Sequence, residues 1–190
     1  MRPMRLLGLK TFRHGVHPPE SKDETSGLAI RQFPFAPLLI VPLVQHMGAP
    51  SLPLVEEGEE VQRGQRIARA DGFMSVSMHA PASGLVRRIA LAPSISGRMV
   101  PAVYLEPFPG STQEIDEGTP CPLDTASPDE IVAAIQDAGV VGLGGAAFPS
   151  HVKLQLPEGK RARFVIINGC ECEPYLTCDH RLMIERADEV

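Results

Sequence analysis

Residues 74–89, which read Met-Ser-Val-Ser-Met-His-Ala-Pro-Ala-Ser-Gly-Leu-Val-Arg-Arg-Ile, decide the fold of the first half of the chain. Apolar and polar residues alternate over 74–79, which is typical of a half-buried β-strand. Pro81 and Gly84 predict a turn, and residues 85–89 predict a second strand. Further short apolar segments, each beside turn residues, occur at 38–43, 52–55 and 67–70. This spacing favours a small β-sandwich or barrel over residues 28–106.

The composition narrows the class of protein. The 190 residues include 17 Gly and 19 Pro, well above the average of about 12% for the two together, so many turns are expected. The formal net charge is −5, and we expect no nucleic-acid partner because no basic surface is indicated. No stretch of 18 apolar residues predicts a membrane span. The N-terminus has no apolar core of a secretory signal.

Four segments of different character follow one another. Residues 1–27 contain Pro18 and Pro19, which disfavour a helix or a central strand, and we interpret them as an N-terminal arm. The β domain of residues 28–106 comes next. Residues 107–126 are rich in Pro and Gly and predict a linker. Residues 127–190 carry helical and apolar patterns that predict the start of an α/β domain, which we expect to be incomplete.

The α/β pattern begins with a strong helix signal. Ser127-Pro128-Asp129-Glu130 combines a capping box with proline at the first helical position, and Gly139 predicts the end of the helix. A short helix is predicted from Pro149 to Leu154, a buried strand over 162–167, and a further helix from about Asp179.

Two motifs in this region have several interpretations. Gly142-x-Gly144-Gly145 could let backbone N–H groups approach a phosphate, or it could be a tight turn; it fails as a dinucleotide fingerprint because no strand directly precedes it. The loop Asn168-Gly169-Cys170-Glu171-Cys172-Glu173 could bind a metal, hydrogen-bond a planar heterocycle, or be a solvated acidic loop. The spacing of Cys170, Cys172 and Cys178 matches neither zinc nor four-iron patterns, so we predict no metal in this chain and reduced thiols, Cys121 included.

The β segment resembles the biotinyl and lipoyl carrier domains in its glycine placement and its Ala80-Pro81-x-x-Gly84-x-Val86 ending. A carrier attaches its cofactor to a lysine at a hairpin tip. No lysine lies between Lys22 and Lys153. We therefore predict a structural barrel-sandwich without a covalent cofactor.

Three segments closely resemble the RnfC subunit of the Rnf electron-transport complex: residues 15–22 (Gly-Val-His-Pro-Pro-Glu-Ser-Lys), residues 42–50, and residues 139–153 with 166–183. The chain is also similar, more distantly, to the flavin-bearing subunit of respiratory complex I. Two positions depart from the complex I pattern, because Cys170 stands for an aspartate and Ala147 for a glycine.

The resemblance implies a Rossmann-like FMN- and NAD(H)-binding domain and a set of site residues. Gly142, Gly144, Gly145 and Lys153 would face the flavin phosphate, and Phe148 would flank the nucleotide pocket. The ribityl chain and isoalloxazine edge would be lined by Asn168, Cys170, Glu171, Cys172 and Glu173. The two loops are expected to converge on one pocket. No catalytic acid or base is implied, since the flavin performs the chemistry.

The resemblance also implies a function. It points to a peripheral, NAD(H)-oxidoreducing subunit on the cytoplasmic face of the bacterial inner membrane, which exchanges electrons between NAD(H) and ferredoxin within an ion-translocating complex. Its 4Fe-4S clusters are expected only in a C-terminal part that this chain lacks, and the 190 residues alone are expected to be inactive. The alternative is a non-enzymatic docking module like the A subunit of the sodium-pumping quinone reductase.

Overall fold

A computed structural model describes residues 18–143, 145–157 and 159–189. The described residues fall into two compact units. Phe33–Val165 form one, and residues 18–32 with 166–189 form the other. The start of the predicted arm and Gly144 lie outside the described residues. The predicted domain boundaries at 27, 106 and 126 stay predictions.

The larger unit contains two antiparallel sheets. One has the strand order β1-β7-β6-β3 and the other has the order β2-β4-β5. The strands are β1 (Leu39–Pro42), β2 (Leu52–Pro53), β3 (Glu60–Val61), β4 (Arg66–Arg69), β5 (Met78–His79), β6 (Gly84–Pro93) and β7 (Met99–Pro107). The predicted barrel-sandwich is confirmed.

The long β6–β7 hairpin forms the centre of the first sheet. β6 continues four residues beyond the predicted strand end at Ile89, and β7 was not predicted as a separate strand. The hairpin turns at Gly97, whose φ is +77°, and Ser94 N–H donates to Arg98 O at 2.8 Å. Glycine is required at the other end of β6, because a Cβ at Gly84 would clash with the Glu106 carbonyl oxygen.

The strand predicted over residues 74–79 is much shorter in the structure, since β5 contains only Met78 and His79. Side chains take the place of ladder partners in the preceding residues. The Ser51 hydroxyl donates to Val76 O at 2.8 Å, and the Gln136 amide donates to Ser75 O at 2.9 Å. The alternation therefore reflects burial beside polar partners rather than a regular strand.

The core of the larger unit lies between the two sheets. It contains Ile67, Val86, Val103 and Leu105, each with 0% exposure, together with smaller residues such as Ala68 and Ala82. Burial of these apolar surfaces is the main stabilising contribution to the barrel. No covalent cofactor is needed to complete such a core.

Helix α1 (Pro128–Asp137) begins at the predicted capping box, which is confirmed. Glu130 N–H donates to Ser127 Oγ at 3.3 Å, and Ser127 N–H donates to Glu130 Oε2 at 2.7 Å. The C-terminal end of α1 is anchored to the barrel by polar contacts. Gln136 bonds the Gly72 and Ser75 carbonyls, and Asp137 accepts from Ser77 and pairs with Arg66. This anchor fixes where the chain enters the following glycine segment.

The prediction of a buried strand over residues 162–167 is wrong for this structure. The segment has no regular secondary structure, and Phe164, Val165, Ile166 and Ile167 are 76–88% exposed. A strand needs ladder partners for its backbone. None of the described residues makes a backbone hydrogen bond to this segment.

The smaller unit combines two distant parts of the chain. Its N-terminal part contains a 3-10 helix (Lys22–Glu24). Its C-terminal part contains α3 (Cys178–Glu185) and a second 3-10 helix (Ala187–Glu189). The predicted helix near Asp179 is confirmed as α3.

Candidate cofactor-binding segments

The glycine segment forms a small hairpin rather than a helix-to-helix turn. Strand β8 (Val141–Gly142) pairs with β9 (Phe148–Pro149), with Gly142 opposite Phe148. β9 leads directly into the predicted short helix α2 (Ser150–Leu154), which is confirmed. The hairpin therefore brings the two ends of the predicted phosphate loop together.

Three of the predicted site residues meet at this hairpin. The Lys153 ammonium lies 3.0 Å from the position that a Cβ on Gly142 would occupy. It also lies 5.9 Å from the centre of the Phe148 ring. Lys153 is exposed, and it forms no hydrogen bond or ion pair with any side chain or carbonyl of the described chain. An exposed cation beside accessible backbone suits an anionic ligand.

The glycines of this segment differ in what the fold demands of them. At Gly139 a Cβ would lie 2.5 Å from Ser77 O, and φ is +76°, so the fold itself requires glycine. At Gly145 a Cβ would meet nothing within 4 Å, and φ is not in the left-handed region. Nothing in the described fold therefore requires glycine at 145. A close approach of a ligand to the backbone would require it.

Two contacts, neither of which we predicted, hold the hairpin on the barrel. The fully buried His151 donates from Nε2 to Phe73 O at 2.7 Å and packs edge-on against the Phe73 ring at 5.3 Å. Ala147 O accepts from Met47 N–H at 3.1 Å. Ala147 adopts φ +50°, the left-handed conformation that a glycine would favour. The only sequence signal was a histidine two residues after Pro149.

The second predicted loop belongs to the smaller unit. Asn168 Oδ1 accepts from Cys170 N–H at 2.9 Å, which forms a local turn. Asn168, Cys170, Cys172 and Glu173 are exposed. Their amide, thiol and carboxylate groups face solvent or one another, and they stay candidates for ligand contacts.

Glu171 has a structural role that the sequence did not reveal. Its carboxylate accepts from Asp179 N–H at 2.8 Å and His180 N–H at 3.4 Å, so it caps the N-terminus of α3. Partial burial alone would raise the pKa of Glu171. The hydrogen bonds from Asp179, Cys178 and His180 and the charge of Lys22 outweigh burial and lower it.

This capping brings three possible metal ligands within 4.8 Å of one another: Glu171, Cys178 and Asp179. They differ from the set weighed from spacing, which was Cys170, Cys172, Cys178 and His180. Capping bonds account for the new cluster without an ion. It is therefore no reason to change the prediction of a chain without metal.

We expect the Glu171→Gln change to make Cys178 more reactive. The Cys178 thiol donates to Glu171 Oε1 at 3.2 Å. This hydrogen bond, followed by burial and the charge of Asp179, raises the thiol pKa above its ordinary value. Removing the carboxylate lowers that pKa, so more thiolate is present near neutral pH. Iodoacetamide labelling followed by mass spectrometry should show faster alkylation of Cys178, with Cys121 as the internal control. Unchanged Cys178 labelling would contradict the prediction.

The fold and the segments define a class of protein, a barrel-sandwich domain followed by part of a flavin-binding domain. Comparison with known families supports this class. Residues 10–108 match the RnfC Barrel sandwich hybrid domain, and residues 135–190 match the Nuo51 FMN-binding domain. The chain belongs to the RnfC family.

Curated relatives agree with this assignment, and each is the RnfC-type component of a redox-driven ion pump. The chain is 44% identical over 185 residues to that component of the ion-translocating oxidoreductase complex of Rhodobacter capsulatus. It is 42% identical over 184 residues to the one from the proton-translocating ferredoxin:NAD(+) oxidoreductase complex of Clostridium ljungdahlii. It is 40% identical over 180 residues to the Na(+)-translocating counterpart of Acetobacterium woodii.

The matches cover almost all of this chain but a smaller part of each relative. They span 95–96% of the chain and 35–41% of the three relatives. Within the part of the chain that the structure describes, no helix is both long and apolar enough to cross a membrane.

Proposed function

We propose that this chain binds FMN, with the phosphate held by the glycine hairpin and Lys153 and the isoalloxazine and ribityl groups contacted by the 168–173 loop. Within a longer assembly, it would serve as the peripheral NAD(H)-oxidoreducing subunit of an ion-translocating electron-transport complex. Electrons would pass between NAD(H) and ferredoxin.

The observation that carries the proposal is the geometry of the hairpin. The Lys153 ammonium lies beside Gly142 and is not engaged by any described residue, and the Gly145 backbone is open on the side where a Cβ would stand. A phosphate dianion fits both features, because it accepts hydrogen bonds from backbone N–H groups and pairs with a point charge. The residues present therefore fit the phosphate end of a flavin nucleotide.

The second loop supplies the other type of contact. The Asn168 amide and the Glu173 carboxylate can hydrogen-bond ribityl hydroxyls and the polar edge of a planar ring. FMN, when bound, supplies hydride exchange with the nicotinamide and the transfer of single electrons. This chain contributes binding, orientation and electrostatic tuning. Convergence of the two loops on one ligand is part of the proposal.

The partners follow from the relatives. The names of two of them state that they belong to ferredoxin:NAD(+) oxidoreductase complexes that translocate protons or Na⁺. We extend NAD(H), ferredoxin and the other Rnf membrane subunits to this chain. We place the 4Fe-4S clusters in regions of the family outside the matched segment, and this chain on the cytoplasmic face of the membrane.

The test is a titration of the protein, purified from its native host and stripped of flavin, with FMN and with riboflavin. Wild-type protein should bind FMN more tightly than riboflavin, because only FMN carries the phosphate. The Gly145→Val change should abolish this preference by blocking the backbone. The matched control is Gly110→Val, because Gly110 is also open and has no left-handed φ. Normal FMN affinity in Gly145→Val would show that the hairpin is only a turn.

A further inference from the structure

The N-terminal segment of the smaller unit contacts the candidate flavin loop directly. The Lys22 ammonium donates to Glu171 O at 2.6 Å and to Leu176 O at 3.0 Å. These residues are 149 and 154 positions apart in the chain. One ammonium therefore joins the two ends of the 171–176 segment.

The same segment also fixes the strained residue of that loop. Tyr175 has φ +65°, a conformation that costs an ordinary residue free energy unless its surroundings hold it. Its N–H donates to Glu20 O at 2.9 Å, and its carbonyl accepts from Thr25 Oγ1 at 2.7 Å. Both backbone groups of Tyr175 are thus held by residues from the other end of the chain.

Two more contacts continue this arrangement along α3. Arg181 donates to Ser26 O at 3.1 Å, and the Glu185 carboxylate accepts from Ile30 N–H at 3.1 Å. Residues 20–30 therefore bind both the loop and the helix that follows it. We call this segment the N-terminal clamp.

We propose that the N-terminal clamp sets the conformation of the 168–176 loop and that Lys22 is a positioning residue for flavin binding. The positioning role rests on the proposed function. The barrel family match includes residues 20–30, but their contacts are with the candidate flavin loop. Lysine suits the task because a compact ammonium with three donors can bond two carbonyls at once.

The experiment compares Lys22→Met and Lys22→Arg with wild type in the natively purified protein. Lys160→Met is the control, since the Lys160 side chain has no partner among the described residues. Hydrogen exchange reports the loop itself. In Lys22→Met the amides of residues 170–178 should exchange faster, while those of the β6–β7 hairpin stay unchanged. Lys22→Arg should restore part of the protection.

Flavin titration reports the positioning role. Lys22→Met should weaken FMN and riboflavin binding equally, by about tenfold or more, because two charge-assisted bonds that shape the loop are lost. Loss of phosphate contacts would instead affect FMN alone. A general loss of folding would be seen as faster exchange in the barrel.

Two outcomes would overturn the proposal. Unchanged exchange at residues 170–178 in Lys22→Met would show that the clamp does not hold the loop, whatever the protein binds. Faster exchange with unchanged affinity for both flavins would show that the loop does not position flavin. Failure of the proposed function is seen separately, as wild-type protein that binds neither flavin.

Discussion

Replacing Lys153 with alanine is expected to weaken FMN binding by about 10- to 150-fold. The expected loss is one charge-assisted hydrogen bond to phosphate, which is worth about 1.5–3 kcal/mol. Stability should be unaffected, because Lys153 is exposed and its ammonium has no partner among the described residues. The affinity for riboflavin should stay at the wild-type value, since riboflavin lacks the phosphate that Lys153 would contact.

The FMN and riboflavin titrations measure this effect by flavin fluorescence, with Lys160→Ala as a control for the loss of one positive charge. Salt provides a second check. The difference between wild type and Lys153→Ala should shrink as ionic strength rises, because exposed charges are screened. An equal loss of affinity for both flavins would place Lys153 away from the phosphate.

Features that depend on neighbouring residues could be predicted from the sequence. The capping box at Ser127 and Glu130 is a local device, and helix α1 begins there. The barrel is also a local prediction in this sense, because alternating residues and regularly spaced turns favour short antiparallel strands. The absence of lysine between Lys22 and Lys153 excluded a carrier role by chemistry alone.

Features that depend on distant residues could not be predicted. The 162–167 segment has the apolar residues of a buried strand, yet ladder partners decide whether such a segment is a strand. The role of Glu171 as the cap of α3 also escaped, because its partner Asp179 lies in the next element. Lys22 lies 149 residues from Glu171, and no local pattern predicts such a pair.

The candidate site was predictable to a limited extent for the same reason. Gly142, Phe148 and Lys153 lie within one hairpin and helix, and the structure brings them together. Asn168 to Glu173 lie in the other compact unit. Their assignment to the same ligand rests on the family resemblance and on the proposed function, and the flavin titrations test it.

Replacing Leu105 with alanine is expected to destabilise the barrel by about 2–5 kcal/mol. Leu105 is 0% exposed in the core between the sheets, and in β7 it stands opposite Leu39 of β1 and Val86 of β6. Its truncation removes buried methyl groups and leaves a cavity that paired strands on both sides cannot close.

The matched control for this change is Leu91→Ala, which makes the same truncation in β6 of the same hairpin. Leu91 is 57% exposed, so its effect should stay within about 0.5 kcal/mol. Denaturant unfolding followed by circular dichroism and by hydrogen exchange of the β6–β7 amides would measure both variants. A Leu105→Ala protein as stable as Leu91→Ala would contradict the placement of Leu105 in the core. The glycine hairpin should respond to the same change, because Phe73 and Met47 of the barrel unit hold His151 and Ala147. Faster exchange at residues 141–149 in Leu105→Ala, but not in Leu91→Ala, is therefore the expected link from core packing to the phosphate segment.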